Sequence, residues 1–131
     1  MTITSYRGLE AWKQAMRVAR TIYELTKQWP REEIYGLTNQ IRRSAVSVPA
    51  NIAEGQGRTT TREFLHHLSI AYGSLCETET HALLAQSLGY LDKDAADKLL
   101  TQTAEVGKLI NGLSFSLEEK LREGRGIQRN S

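Results

Sequence analysis

The chain has 131 residues, of which 40% are apolar and 24% charged, and its formal net charge is +2. This length is typical of one domain with a single core. No apolar run approaches the ~20 residues that span a bilayer, and residues 1–7 lack the features of a secretory signal. A single cysteine, Cys76, cannot form an internal disulfide. We therefore expect a cytoplasmic protein that has no membrane segment and no disulfide framework.

The first predicted helix extends from Leu9 to about Gln28, because apolar residues recur at intervals of three and four until Pro30 interrupts the pattern. Its expected core face consists of Leu9, Trp12, Ala15, Met16, Ala19, Ile22, Tyr23 and Thr26.

The second predicted helix begins near Glu32, where acidic side chains suit the positive end of a helix dipole. Pro49 removes a backbone donor and clashes with the carbonyl of Ala45, so we expect a kink in a helix that continues. The expected core face of this helix consists of Leu37, Ile41, Ala45, Val48 and Ile52.

The third predicted helix opens at Thr60, because Glu63 follows three residues later as in a capping box, and Gly89 closes it. Gly73-Ser74 in its middle predicts the close approach of another helix. Asp92 is the expected N-cap of the fourth helix. The expected core faces of the two helices consist of Phe64, Leu68, Ala71, Leu75 and Leu83, and of Leu99, Thr103, Val106, Ile110, Leu113 and Leu117.

Strand patterns are missing from the sequence, so the predicted class is all-α, with short connections that favour an up-down-up-down antiparallel four-helix bundle. Residues 122–131 lose the apolar period and contain arginine and glycine. We therefore divide the chain into a bundle over 1–121 and a disordered basic tail over 122–131. The arginines of this tail are a second candidate for contacts with phosphate.

The sequence offers no arrangement that fits an enzyme. Glu63 and His66 form one Glu-x-x-His pair, whereas a di-iron bundle needs two such pairs. Cys76 and His81 are five residues apart on one helix and point in different directions. The glycines before helix three lack the Gly-Lys-Ser or Gly-Lys-Thr ending of a phosphate-binding loop. We predict no catalytic residue, no metal and no cofactor.

Charge is divided unevenly along the chain. Residues 1–62 carry 10 basic and 5 acidic side chains, while residues 63–121 carry 4 basic and 9 acidic side chains. Such a dipolar surface suits an anionic partner or self-association.

The stretch over residues 35–58, YGLTNQIRRSAVSVPANIAEGQGR, contains more polar detail than helix packing requires. It resembles the core motif of the 23S rRNA intervening-sequence proteins, and flanking similarity extends over residues 9–117. The matching positions are Tyr35, Gly36, Leu37, Gln40, Ile41, Arg42, Arg43, Ser47, Asn51, Ile52, Ala53, Glu54, Gly55 and Arg58.

The resemblance implies a four-helix bundle that assembles as a homopentamer and has no enzymatic activity. It also implies a fold similar to the accessory proteins of diversity-generating retroelements, which bind a reverse transcriptase and nucleic acid.

Two functions stay open at this point. In the first, an oligomeric scaffold binds RNA or DNA through its basic half and a protein such as a reverse transcriptase through its acidic half. The candidate nucleic-acid ligands are Arg17, Arg20, Arg42, Arg43, Arg58 and Arg62. In the second, the chain is a protein-interaction module whose arginines pair with carboxylates within or between protomers. The candidate structural or oligomer residues are Tyr35, Gln40, Asn51, Glu54, Glu77 and Glu79.

Overall fold

The computed structural model describes residues 5–130, with side chains described through Gly124, and that part of the chain contains four α-helices and no strand. The predicted all-α class is confirmed. The helices are α1 (Glu10–Thr26), α2 (Leu37–Gln56), α3 (Thr61–Ser87) and α4 (Lys93–Asn130), and short 3-10 turns occur at Tyr6–Gly8 and Arg31–Glu33.

Contacts join α1 to α2, α2 to α3, α3 to α4 and α4 to α1. Each helix therefore packs against two neighbours. The apolar stripes therefore enclose one core, as expected for a helix bundle. Its largest fully buried side chains are Val18, Ile22, Ile41, Val48, Ile52, Leu68, Leu99, Val106 and Ile110.

The core face of α1 is rotated from the expected one. Ala11 and Val18 are buried, whereas Met16 is 41% and Tyr23 is 43% exposed, so the placement of these last two side chains in the core was wrong. Small Ala15, which is almost fully buried, lies on the face that packs inward. Met16 and Tyr23 lie at the border of that face, where their side chains remain in contact with solvent.

Helix α2 begins five residues later than the acidic pair suggested. Glu33 belongs to a 3-10 turn, and its Oε1 accepts a hydrogen bond from the backbone N–H of Leu37 at 3.1 Å. Its Oε2 accepts one from the Tyr90 hydroxyl at 2.8 Å. Both hydrogen bonds lower the pKa of Glu33, and the one from the N–H of Leu37 has the larger effect. The same carboxylate raises the pKa of Tyr90. The carboxylate thus ties the α1–α2 connection to the α3–α4 connection.

The predicted caps of α3 and α4 are confirmed. The Thr60 side chain accepts from the N–H of Glu63 at 3.1 Å, and the Asp92 carboxylate accepts from the N–H of Ala95 at 2.8 Å. Gly89 has a φ of 82° after the end of α3, a conformation that glycine adopts without strain. In the expected face of α3, Leu83 is exposed, while Ala82 and Ala85 are buried in its place.

Helix α2 continues through Pro49, as expected. The kink at this proline stays a prediction. Of the Gly73-Ser74 pair, Ser74 is buried and its Oγ lies 2.8 Å from Ser47 Oγ of α2, so another helix does lie close to that position. Gly73 itself is not at the contact, because a Cβ there would meet nothing within 4 Å. Gly55 is the buried glycine at the α2–α3 contact, and a Cβ there would lie 2.7 Å from His67 Cβ and 3.0 Å from Phe64 Cδ1.

Helix α4 is continuous from Lys93 to Asn130, so no helix end marks the predicted domain boundary at residue 121. Of the tail arginines proposed for phosphate contact, Arg122 is described, and its Nη2 lies 2.6 Å from Glu119 Oε1 in an ion pair. The side chains of residues 125–131 lie outside the described residues. The disorder of 122–131 therefore stays a prediction. Among the described residues, no helix has the length and apolar content needed to cross a membrane.

Gly55→Ala is expected to lower the free energy of unfolding by about 1–3 kcal/mol, because its methyl group would force α2 and α3 apart. The matched control is Gly57→Ala at the exposed end of the same helix, where φ is −79° and the nearest atoms to a Cβ lie at 3.6 and 3.7 Å. In this control the free energy of unfolding should rise by about 0.4–1 kcal/mol. Urea denaturation followed by circular dichroism measures both, and a Gly55→Ala protein as stable as the control would contradict the close approach.

Candidate nucleic-acid interface

Arg42 on α2 is held in one orientation by two residues of α1. Its Nε donates to Thr26 Oγ1 at 2.9 Å, and its guanidinium carbon lies 4.7 Å from the centre of the Tyr23 ring. The buried Thr26 hydroxyl donates its own proton to the carbonyl of Ile22 at 2.7 Å, which leaves its oxygen able to accept from Arg42. The two contacts together fix the guanidinium and leave its two terminal nitrogens for another partner.

The groove between α1 and α2 has a volume of about 460 Å³. We call it the α1–α2 groove, and it is lined by Tyr23, Asn39, Arg42, Arg43, Val46 and Ser47. None of these six residues is acidic. Two arginines in a concave surface without a carboxylate favour an anionic ligand.

Arg43 also borders a second, smaller groove of about 290 Å³ on the other side of α2. This α2–α3 groove is lined by Asn39, Gln40, Arg43, Ser44, Ser47, Ser74, Glu77 and His81. Because Glu77 brings a carboxylate into it, the second groove is less suited to an anion than the first. Arg43 is exposed and lies on the ridge between the two grooves.

Hydroxyl, amide and imidazole groups pair with one another along the α2–α3 contact, and we call this set the polar seam. Thr78 Oγ1 lies 2.9 Å from Ser44 Oγ, and Ser47 Oγ lies 2.8 Å from Ser74 Oγ. The seam consists of Ser44, Ser47 and Asn51 on α2 and of His67, Ser74 and Thr78 on α3.

The seam ends at Asn51, whose amide nitrogen donates to the Ser47 carbonyl at 2.9 Å and whose Oδ1 lies 3.2 Å from His67 Nδ1. The pairs follow each other in reverse order, because Ser44, Ser47 and Asn51 of α2 meet Thr78, Ser74 and His67 of α3 in turn. Buried polar groups must find partners, and a shift of one helix along the other would therefore break several of these bonds at once.

The six candidate arginines do not form one patch. Arg42 and Arg43 share the α1–α2 groove. Arg20 is exposed on α1 three residues before Tyr23, so its side chain lies next to Tyr23 on the surface of that helix. Arg17 is exposed on α1 as well. The remaining two, Arg58 and Arg62, lie at the opposite end of α2 and in the first turn of α3.

Arg58 is already partly neutralised, because its Nη2 lies 2.7 Å from Glu54 Oε1 in an exposed ion pair. Arg42 and Arg43, by contrast, form no ion pair with a carboxylate within the described part of the chain. Their expected pairing with Glu54, Glu77 or Glu79 inside one protomer therefore does not occur there. Pairing between protomers stays a prediction.

The candidate structural residues are dispersed over the surface and the helix contacts. Tyr35 is 93% exposed at the end of the bundle where α2 begins. Gln40 and Glu77 line the α2–α3 groove, while Asn51 belongs to the polar seam. Glu79 accepts a hydrogen bond from Thr103 of α4. These residues therefore do not share one site within the protomer.

Sequence reasoning missed Tyr23 and Thr26 as parts of the site, because both matched the apolar period of α1. Their residue types could have indicated the site, because tyrosine and threonine at the edge of an apolar face can each bind a neighbouring cation. His67, Ser74 and Thr78 were missed as partners, because hydrogen bonds between helices leave no period in the sequence. Within the described residues, no three His, Cys, Asp or Glu side chains gather as metal ligands would.

Comparison with known proteins yields one family. The sequence model described as 23S rRNA-intervening sequence protein matches residues 7–112. No curated protein matches the chain significantly.

A solved structure similar to this chain comes from Bacteroides thetaiotaomicron and is described as a protein with unknown function from the S23 ribosomal protein family. It is 24% identical, the alignment covers 79% of this chain and 97% of that one, and the TM-score is 0.74. This likeness supports the helical fold alone.

Proposed function

Because the chain belongs to the 23S rRNA-intervening sequence protein family, we propose that it is a non-catalytic, oligomeric scaffold that binds RNA or DNA through the α1–α2 groove. The observation that carries this proposal is the fixed guanidinium of Arg42 beside Arg43 in a groove lined by no carboxylate.

Preorganisation is the first reason. A free arginine side chain loses rotamer entropy when it binds, whereas Thr26 and Tyr23 already hold Arg42 in place. The bond from Nε to Thr26 is made with the inner edge of the guanidinium, so the terminal nitrogens remain for a bidentate contact with phosphate oxygens.

Spacing along the surface is the second reason. Arg43 follows on the ridge beside the groove, and Arg20 lies about one helical turn from Tyr23. A row of separate cations suits a phosphate backbone, which presents its charges one after another. A single carboxylate would need only one of these arginines.

Self-assembly is the second part of the proposal, and the outer face of α3 supports it. In α3 after its first turn, over residues 64–87, the only Asp, Glu, Lys or Arg residues are Glu77 and Glu79, and Ile70, Leu83 and Leu84 are exposed. A helix that is apolar on most sides is usually covered. We propose that a second copy covers this face and that the assembly is the homopentamer which the family resemblance suggests.

Each protomer in this proposal is an up-down-up-down antiparallel bundle with α2 kinked at Pro49. The reverse order of the hydrogen-bonded pairs along α2 and α3 supports this arrangement. For α3 and α4 it is supported by the bond between Thr103 and Glu79 and by Gly107, where a Cβ would lie 3.5 Å from Leu75 Cδ2 and 3.6 Å from Tyr72 Cε2.

The alternative function is a protein-interaction module without affinity for nucleic acid. The exposed apolar side chains of α3 favour it as well, because apolar surface suits a protein better than an anion. In that case a carboxylate from a neighbouring chain would occupy the terminal nitrogens of Arg42. A reverse transcriptase is the partner that the resemblance to retroelement accessory proteins suggests for the acidic half.

Arg43→Ala is expected to weaken binding of a short labelled RNA and to reduce the slope of log affinity against log salt by about 0.7 to 0.9, the share of one phosphate. Because Arg43 is exposed and forms no hydrogen bond within the described residues, the fold should be retained. Fluorescence anisotropy between about 50 and 200 mM salt measures both quantities.

Arg58→Ala is the matched control, since it removes an arginine already paired with Glu54. Arg58→Ala should change the slope of log affinity against log salt much less than Arg43→Ala does. Equal losses in the two variants would show that overall charge, not the groove, governs binding. Failure of the wild-type protein to bind RNA or DNA at low salt would reject the nucleic-acid function and favour the alternative.

Ile70→Glu is expected to reduce the mass measured by light scattering from that of five protomers to the protomer mass of 14.7 kDa, because it buries a charge in the proposed interface. Phe115→Glu, at an exposed apolar residue of α4, is the control that should leave the mass unchanged. A wild-type protein that is monomeric at micromolar concentration would contradict the assembly.

A further inference from the structure

The α1–α2 groove contains apolar surface that contacts with phosphate do not require. Tyr23 and Val46, both lining residues, are 43% and 44% exposed, and Met16 lies two helical turns before Tyr23 on α1 and is also exposed. A protein that binds only the backbone of a duplex needs cations and hydrogen-bond donors there. Exposed apolar groups next to arginines instead fit a ligand that has a flat apolar face as well as a negative charge.

The pair of Arg42 and Tyr23 has the chemistry of a stacking platform. The guanidinium lies over the ring at 4.7 Å, so a planar cation and an aromatic ring are already in contact. Proteins that bind single strands stack unpaired bases on aromatic rings and on guanidinium planes. A base inside a duplex is covered on both faces by its neighbours and cannot use such a surface.

Groups that can bind the edge of a base are present beside this platform. Asn39 offers an amide, and both Asn39 and Ser47 line the same groove as Arg42. The Ser47 hydroxyl is already bonded to Ser74 and Asn51 in the polar seam and retains one further hydrogen-bonding position. The volume of about 460 Å³ lies in the range of pockets that take small organic ligands. The groove thus combines a cation for phosphate, a flat surface for a base and polar groups for its edge.

From this combination we infer that the α1–α2 groove binds an unpaired nucleotide of a single-stranded nucleic acid, with its phosphate on Arg42 and Arg43 and its base against Tyr23 and Val46. The inference rests on the proposed function, because it names the form of nucleic acid that the same groove accepts. It adds a requirement for bases that binding through charge alone would not have.

The ligand itself provides the sharpest test. Three labelled DNA ligands of equal length are titrated into the wild-type protein at one salt concentration: a single strand, the same strand with abasic sites throughout, and the corresponding duplex. The abasic strand retains the phosphates and loses every base. We expect the intact strand to bind about 5- to 150-fold more tightly than the abasic one, the range for stacking of one base. The duplex should also bind more weakly than the intact strand.

Equal affinity for the intact and abasic strands, or tighter binding of the duplex, would overturn the inference and leave the proposed function in place. No binding of any of the three would reject the proposed function itself. The two failures are therefore distinguishable.

Variants of Tyr23 locate the base within the groove. Tyr23→Phe retains the ring and should retain the preference for the intact over the abasic strand, whereas Tyr23→Leu should lose most of it. Tyr72→Leu, at a half-exposed tyrosine between α3 and α4, is the control and should retain the preference. A Tyr23→Leu protein that still prefers the intact strand as strongly as the wild type would also overturn the inference.

Discussion

The arrangement of the molecule depends on the hydrogen bonds of the polar seam between α2 and α3. Thr78 is fully buried and Ser44 nearly so, and hydroxyls removed from water destabilise a fold unless they are paired. The bonds between Ser44 and Thr78 and between Ser47 and Ser74 therefore select one register from those that the apolar stripes alone would allow. Gly55 permits the backbones to approach at the end of this contact. With that register set, the opposite flank of α2 faces α1.

On that flank, Arg42 uses part of its guanidinium in contacts within the fold and leaves another part for the binding proposed above. Its Nε and the face of its guanidinium are used by Thr26 and Tyr23 of α1, while its terminal nitrogens are not used by any ion pair in the described part of the chain. The contact that joins α2 to α1 also orients the donors of the groove.

Much of the fold could be predicted from the sequence, because helix period and caps are local properties. The stripe of α4, the cap at Asp92 and the glycine after α3 followed directly from spacing. Met16 and Tyr23 were wrongly placed in the core because they lie at the border of the buried face of α1. The spacing of apolar residues does not distinguish the border of such a face from its centre. Gly73 suggested a helix contact that the next residue makes instead, because a helical glycine lies at a close approach only when a neighbouring helix faces it. The pairing of His67 with Asn51 depends on two separate helices meeting and could not be predicted from either one.

Photo-crosslinking shows whether nucleic acid contacts the α1–α2 groove. A single-stranded oligonucleotide that carries a photoreactive 5-iodouracil is bound to the wild-type protein, irradiated, and the crosslinked peptides are identified by mass spectrometry. Crosslinks to Tyr23 or to residues 39–47 are expected. Crosslinks confined to residues 93–131 would contradict binding in the groove, because none of the residues that line it belongs to that part of the chain.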